Sequence, residues 1–153
     1  VKMDAAFKEL PIGKGEILKE GRDVAILAIG SMVAPAVEAA EKLALQGIET
    51  TVVNARFVKP IDTELIIDIA TRIKRIVTVE ENTLSGGFGN YVNDAVRQAD
   101  LRDVIIRNVG LPDVFIEHGG QDFLRSKYGL DAAGIVNQVL EIVPAGSGSK
   151  IVR

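Results

Sequence analysis

Four short apolar runs, rich in β-branched residues, recur along the chain: DVAILAIG (23–30), ETTVVNARF (49–57), RIVTVEEN (75–82) and VIIRNVGLP (104–112). Runs of this kind suit strands buried on both faces, as in a parallel sheet. Helical patterns fill the spaces between them. Val33, Val37, Ala40 and Ala44 recur at three to four residues, with Ser31 as a helix cap and Gly47 as a stop. Asp62 is placed to cap a second helix running to about Arg72, with Ile61 and Ile66 as a hydrophobic staple. The glycine stretch opens a third, with Phe88, Val92, Ala95, Val96 and Ala99 inward. GQDFLRSKYG is a short helix, and Asp131 caps a last one with Ile135, Val136, Val139 and Leu140 on one face. A short edge strand is expected near 16–19. The alternation predicts a three-layer α/β sandwich with a mostly parallel sheet of about five strands and right-handed crossovers. Residues 1–15 read as a lead-in linker, 16–144 as the domain, and 145–153 as a flexible tail.

Composition removes several function classes. The 153 residues suit one domain, and 47% hydrophobic with 25% charged residues is a soluble globular balance. A net charge of −3 without a basic patch argues against nucleic acid. With no cysteine there are no disulfides, thiolate nucleophiles or zinc–sulfur sites. No apolar run approaches the roughly 18 residues that span a bilayer. No signal-peptide pattern is visible, so the cytoplasm is the expected location.

In open parallel sheets, function gathers at the carboxyl ends of the strands. Those ends carry Gly30-Ser31-Met32, Asn54-Ala55-Arg56, Glu80-Glu81-Asn82 and Gly110-Leu111-Pro112-Asp113. The stretch EENTLSGGFG poses the sharpest question. Gly86, Gly87 and Gly89 resemble a phosphate cradle, but the Walker lysine and the dinucleotide glycine spacing are both missing. The reading is a tight turn with close helix–strand packing, and a resident anion site is the alternative. Glu80 and Glu81 are neighbours in a strand, so they point to opposite faces and make a poor acid–base pair. One is expected at an interdomain edge and the other toward solvent or the following helix. His118, the sole histidine, lacks the partners of a general base or a metal ligand, and reads as a loop residue, hydrogen-bonded or at an interface. For Arg56 the expectation is an ion pair with Glu80 or Glu81. The residues thus supply no catalytic, cofactor-binding or metal site.

The order of ELPIGKGEIL, DVAILAIGSMV, VVNARFVKPID, TVEENTLSGGFG and GLPDVFIEHGGQ closely resembles the C-terminal domain of 1-deoxy-D-xylulose-5-phosphate synthases, which are transketolase-like. The C-terminal domains of pyruvate dehydrogenase beta subunits are similar through EE…GGFG, but their middle, closer to DLRTLRPLD, differs from NARFVKPID. The resemblance implies a parent enzyme that condenses pyruvate onto glyceraldehyde 3-phosphate with loss of carbon dioxide. It implies thiamine diphosphate held through Mg²⁺, with the Gly-Asp-Gly motif in an N-terminal domain and the activating glutamate and phosphate-binding arginines in a central one. This chain has no Gly-Asp-Gly. The implied partners are those two domains and a second copy in a homodimer. Arg56, Glu80, Glu81, Asn82, Gly86, Gly87, Phe88, Gly89 and His118 then belong to an interdomain or dimer edge. The expectation is a C-terminal domain cut from a full synthase and inactive alone. The alternatives are a separate interaction subunit of a split transketolase or pyruvate-dehydrogenase-beta-like enzyme, and a small-anion-binding module.

Overall fold

The computed structural model describes residues 9–144. Among these residues five strands, β1 (Glu16–Lys19), β2 (Val24–Ala28), β3 (Thr50–Asn54), β4 (Arg75–Thr83) and β5 (Ile105–Leu111), form one sheet in the order β1-β3-β2-β4-β5. Only β1 runs antiparallel, against β3. Five α-helices accompany them: α1 (Val33–Ala44), α2 (Thr63–Arg72), α3 (Phe88–Gln98), α4 (Gln121–Lys127) and α5 (Ala132–Ile142). A 3-10 turn, Gly30–Met32, leads into α1. The mostly parallel three-layer sandwich expected from the sequence is therefore the fold.

All five residues of β2 are buried because both faces of the sheet are covered. Val24, Ile26 and Ala28 join α1 and α5 in one core, whereas Ala25 and Leu27 join α2 and α3 in the other. Alternating side chains of one strand thus serve two separate cores.

Asp62 caps α2 as predicted, accepting from the Leu65 N–H at 3.2 Å. It also accepts from the Gly15 N–H at 3.0 Å. Ile66 is buried and Ile61 packs partly beneath it in the same core. Residues 13–15, assigned to the lead-in, are consequently tied to α2. The tail at 145–153 lies outside the described residues, as do 1–8.

Three local expectations need correction. Ser31 makes no side-chain cap for α1; its hydroxyl is turned to Glu81 instead. The buried stripe of α1 is Ala36, Ala39, Ala40 and Leu43, while Val33 and Val37 are only partly buried and Ala44 is exposed. Leu140 is 42% exposed. The other expected positions of α5, Ile135, Val136 and Val139, are buried; in α1 the inward face is set jointly by the sheet and by α5, so its buried stripe is not its most apolar row.

The register levels the strand ends: Ala28 pairs with Asn54 on one side and with Val79 on the other. From β2 the chain moves outward to β3, then returns to the opposite side of β2 as β4. The carboxyl ends of β2 and β4 therefore bound a topological switch point, where open α/β sheets offer a crevice. No helix among the described residues is long and apolar enough to cross a membrane.

Candidate functional site

A crevice of about 290 Å³ opens at this switch point, lined by Ile29, Gly30, Ser31, Val58, Glu80, Glu81 and Asn82. Of these residues Glu80 is the most deeply placed side chain, 2% exposed. One carboxylate oxygen of Glu80 accepts from the Phe88 N–H at 2.7 Å, the other from the Gly89 N–H at 2.9 Å. These donors lie at the start of α3, where unsatisfied N–H groups and the helix dipole favour negative charge. The position an external anion would take is filled by the chain's own carboxylate. This is the finding against an anion-binding module at Gly86–Gly89.

Each glycine of the stretch has its own task. Gly86 adopts φ +72°, and nothing lies within 4 Å of where its Cβ would be. It serves the turn. A Cβ on Gly87 would sit 2.3 Å from the Thr83 carbonyl oxygen and 2.4 Å from a Glu80 carboxylate oxygen. At Gly89 it would sit 2.7 Å from Asn108 Cγ, across the junction of α3 with the sheet. Phe88, 1% exposed, anchors the start of α3 in the α2–α3 core.

Glu81 points to the other side, as strand alternation requires. Arg125 grips it with two bonds, Nε to Oε1 at 2.9 Å and Nη2 to Oε2 at 2.6 Å. Ser31 Oγ donates at 2.5 Å and Gln121 Nε2 at 3.3 Å. These donors, Arg125 foremost, hold the Glu81 carboxyl down at about 2. Sequence reasoning missed Arg125 and Gln121. Their i, i+4 spacing places them on one face of a helix and was visible. Their target, some 40 residues upstream, was not.

Arg56 does not pair with Glu80 or Glu81. Its guanidinium binds Glu16, and its N–H donates to Asn54 Oδ1 at 3.1 Å. The reason is the strand order: β3 separates from β4 across β2 and lies beside β1. His118 is exposed in the segment between β5 and α4, and its side chain has no hydrogen-bond partner among the described residues. Asn82 and Gly86 are also exposed, whereas Glu80, Gly87, Phe88 and Gly89 are buried. The nine residues thus divide into a surface and the scaffold beneath it.

A diphosphate carried on Mg²⁺ does not fit these residues. The helix start is occupied by Glu80, and Glu81 is neutralised by Arg125. Among the described residues no group of three or more His, Cys, Asp or Glu side chains could hold a metal ion.

The family model "Transketolase, C-terminal domain" matches residues 13–135. The chain is 51% identical over 139 residues to 1-deoxy-D-xylulose-5-phosphate synthase 1 of Geobacter metallireducens, covering 91% of this chain and 22% of that protein. It is 49% identical over 144 residues to the synthase of Dehalococcoides mccartyi, covering 94% and 23%. The chain therefore spans somewhat under a quarter of the length of these curated relatives. Among solved structures, one titled "Split gene transketolase, inactive beta4 tetramer" superposes with a TM-score of 0.82 at 38% identity, covering 88% of this chain and 43% of that one. With its five-stranded sheet of one antiparallel and four parallel strands and a family match across most of its length, this chain belongs to the transketolase C-terminal domain family.

Proposed function

We propose that this chain is the C-terminal domain of a 1-deoxy-D-xylulose-5-phosphate synthase and acts through contacts, not through chemistry of its own. The parent enzyme joins pyruvate to glyceraldehyde 3-phosphate with release of carbon dioxide. Thiamine diphosphate and Mg²⁺, held by the N-terminal and central domains, supply the carbanion chemistry. This domain contributes the strand-end edge, where Asn82, Gly86 and His118 face neighbouring domains and Glu80, Gly87, Phe88 and Gly89 hold the edge in shape. Arg56 fixes its far end through Glu16. The assembly is a cytoplasmic homodimer, and the separated domain is inactive.

The observation that carries this reading is the 51% identity to the Geobacter metallireducens synthase over nearly the whole chain. Domain exchange tests it. This chain replaces the matching segment of the Geobacter enzyme, and product formation from pyruvate and glyceraldehyde 3-phosphate is assayed. Activity comparable to the parent is expected. A folded, soluble chimera without activity would contradict the reading.

A second reading is favoured by the split-gene transketolase likeness. In it the domain belongs to a separate subunit that joins a cofactor-bearing partner chain. Activity restored by mixing two chains, with no covalent link, would select it.

A further inference from the structure

We propose that the segment joining β5 to α4, together with the first turn of α4, is the surface by which this domain docks, and that its occupant is another part of the synthase, not a second copy of the same patch. The inference rests on the reading of the chain as a synthase domain and adds to it the location and chemistry of the contact.

Three large apolar side chains stand outward here. Phe115 is 96% exposed, Phe123 64% and Val114 62%. The segment that carries them is well tied. Glu117 receives the Tyr128 hydroxyl at 2.9 Å and is paired with Lys127. Arg125 and Gln121 reach across to Glu81 on β4. Ile116 and Leu124 turn inward and line a cavity of about 200 Å³ over Leu130. The inward apolar positions are thus separate from Phe115 and Phe123, which contribute little to this domain's own core. Exposed aromatics on a pre-organised frame are the pattern of a binding anchor, because little rotameric or loop entropy is lost on docking.

Charge selects the occupant. Asp113 and Asp122, each next in sequence to one of the outward apolar residues, are exposed. Glu81 and Glu117 are already neutralised by Arg125 and Lys127. The rim of the patch is therefore acidic. Two copies meeting through it would set carboxylate against carboxylate, which opposes association. The fitting partner is an apolar pocket edged by Lys or Arg. The relatives carry more than three-quarters of their length outside the region matched here, and on the synthase reading the partner surface lies in that part.

Hydrogen exchange of residues 112–125 tests this, measured in the free chain and in the Geobacter chimera. The segment is expected to exchange roughly ten-fold more slowly in the chimera, a docking contribution of about 1.4 kcal/mol. Phe115→Ser, and separately Asp113→Lys, should abolish that slowing while leaving the melting temperature of the free chain unchanged. Equal exchange in an active chimera would overturn the docking proposal and leave the synthase reading standing. An inactive chimera whose entire domain exchanges as the free chain does would overturn both. The aligned segment of the unaltered Geobacter enzyme gives a readout that needs no chimera, and fast exchange there would also count against docking. A dimer of the free chain that Phe115→Ser converts to monomer would make the second copy the occupant, and the proposal would be wrong.

Discussion

Glu80 closes the start of α3 from beneath, its two carboxylate oxygens 2.7 and 2.9 Å from the N–H groups of Phe88 and Gly89. The pair Glu80–Phe88 joins a strand end to the helix that follows it, and both residues are buried. Removing the carboxylate leaves two buried donors with no acceptor. Glu80→Ala should destabilise the chain by about 3 kcal/mol. Thermal unfolding should show the midpoint lower by on the order of 10 °C. An unchanged midpoint would mean that the helix start is satisfied in another way.

The neighbouring glycines should differ in their tolerance. At Gly87 an added Cβ meets the Thr83 carbonyl at 2.3 Å and both Glu80 oxygens within 2.6 Å, so the carboxylate must leave its donors. Gly87→Ala is expected to cost about 2–3 kcal/mol. Gly86→Ala meets no atom and bears only the strain of φ +72°, about 1 kcal/mol. Denaturant titrations of the two variants should rank them in that order. The reverse ranking would show that the carboxylate contact is not what requires glycine.

Phe88 is the largest fully buried side chain of the α2–α3 core. Phe88→Ala should cost on the order of 3–5 kcal/mol, from lost burial and the cavity left behind. Unfolding followed by circular dichroism would measure it, and a midpoint equal to the parent's would sink the assignment of Phe88 as an anchor.

The grip of Arg125 on Glu81 predicts a pH window. The folded carboxyl titrates near 2, below its ordinary value of 4.5, so it binds protons less readily folded than unfolded. The stabilisation is present above pH 4.5 and is lost as pH falls toward 2. Arg125→Met should be less stable than the parent at pH 7, and the gap should narrow across that window. Stability curves at several pH values would decide it. A gap that persists at pH 2 would assign the effect to packing of the Arg125 stem.

Much of this was legible in the chain itself. The continuous apolar run of β2 demanded a strand covered on both faces, and Asp62 with Ile61 and Ile66 spelled out the start of α2. Alternation correctly sent Glu80 and Glu81 apart. What pattern reasoning could not supply was lateral order. The expected pairing of Arg56 with Glu80 or Glu81 fails because nothing local says that β3 lies beside β1 and not β4. Arg125 escaped notice because its partner is distant in sequence, and an i, i+4 pair names a face but not what the face meets. Periodicity puts Leu140 on the apolar row of α5, while the packing of α1 against α5 decides how far that row is covered.

EENTLSGGFG is a junction closed by its own carboxylate, which leaves the proposed contact role to the exposed edge around it. Calorimetric titration of the folded chain with thiamine diphosphate and Mg²⁺ tests it most directly. No binding heat is expected, because Glu80 already holds the helix start. Saturable binding that Gly87→Asp abolishes would place a diphosphate at that turn and show that the carboxylate does not close it.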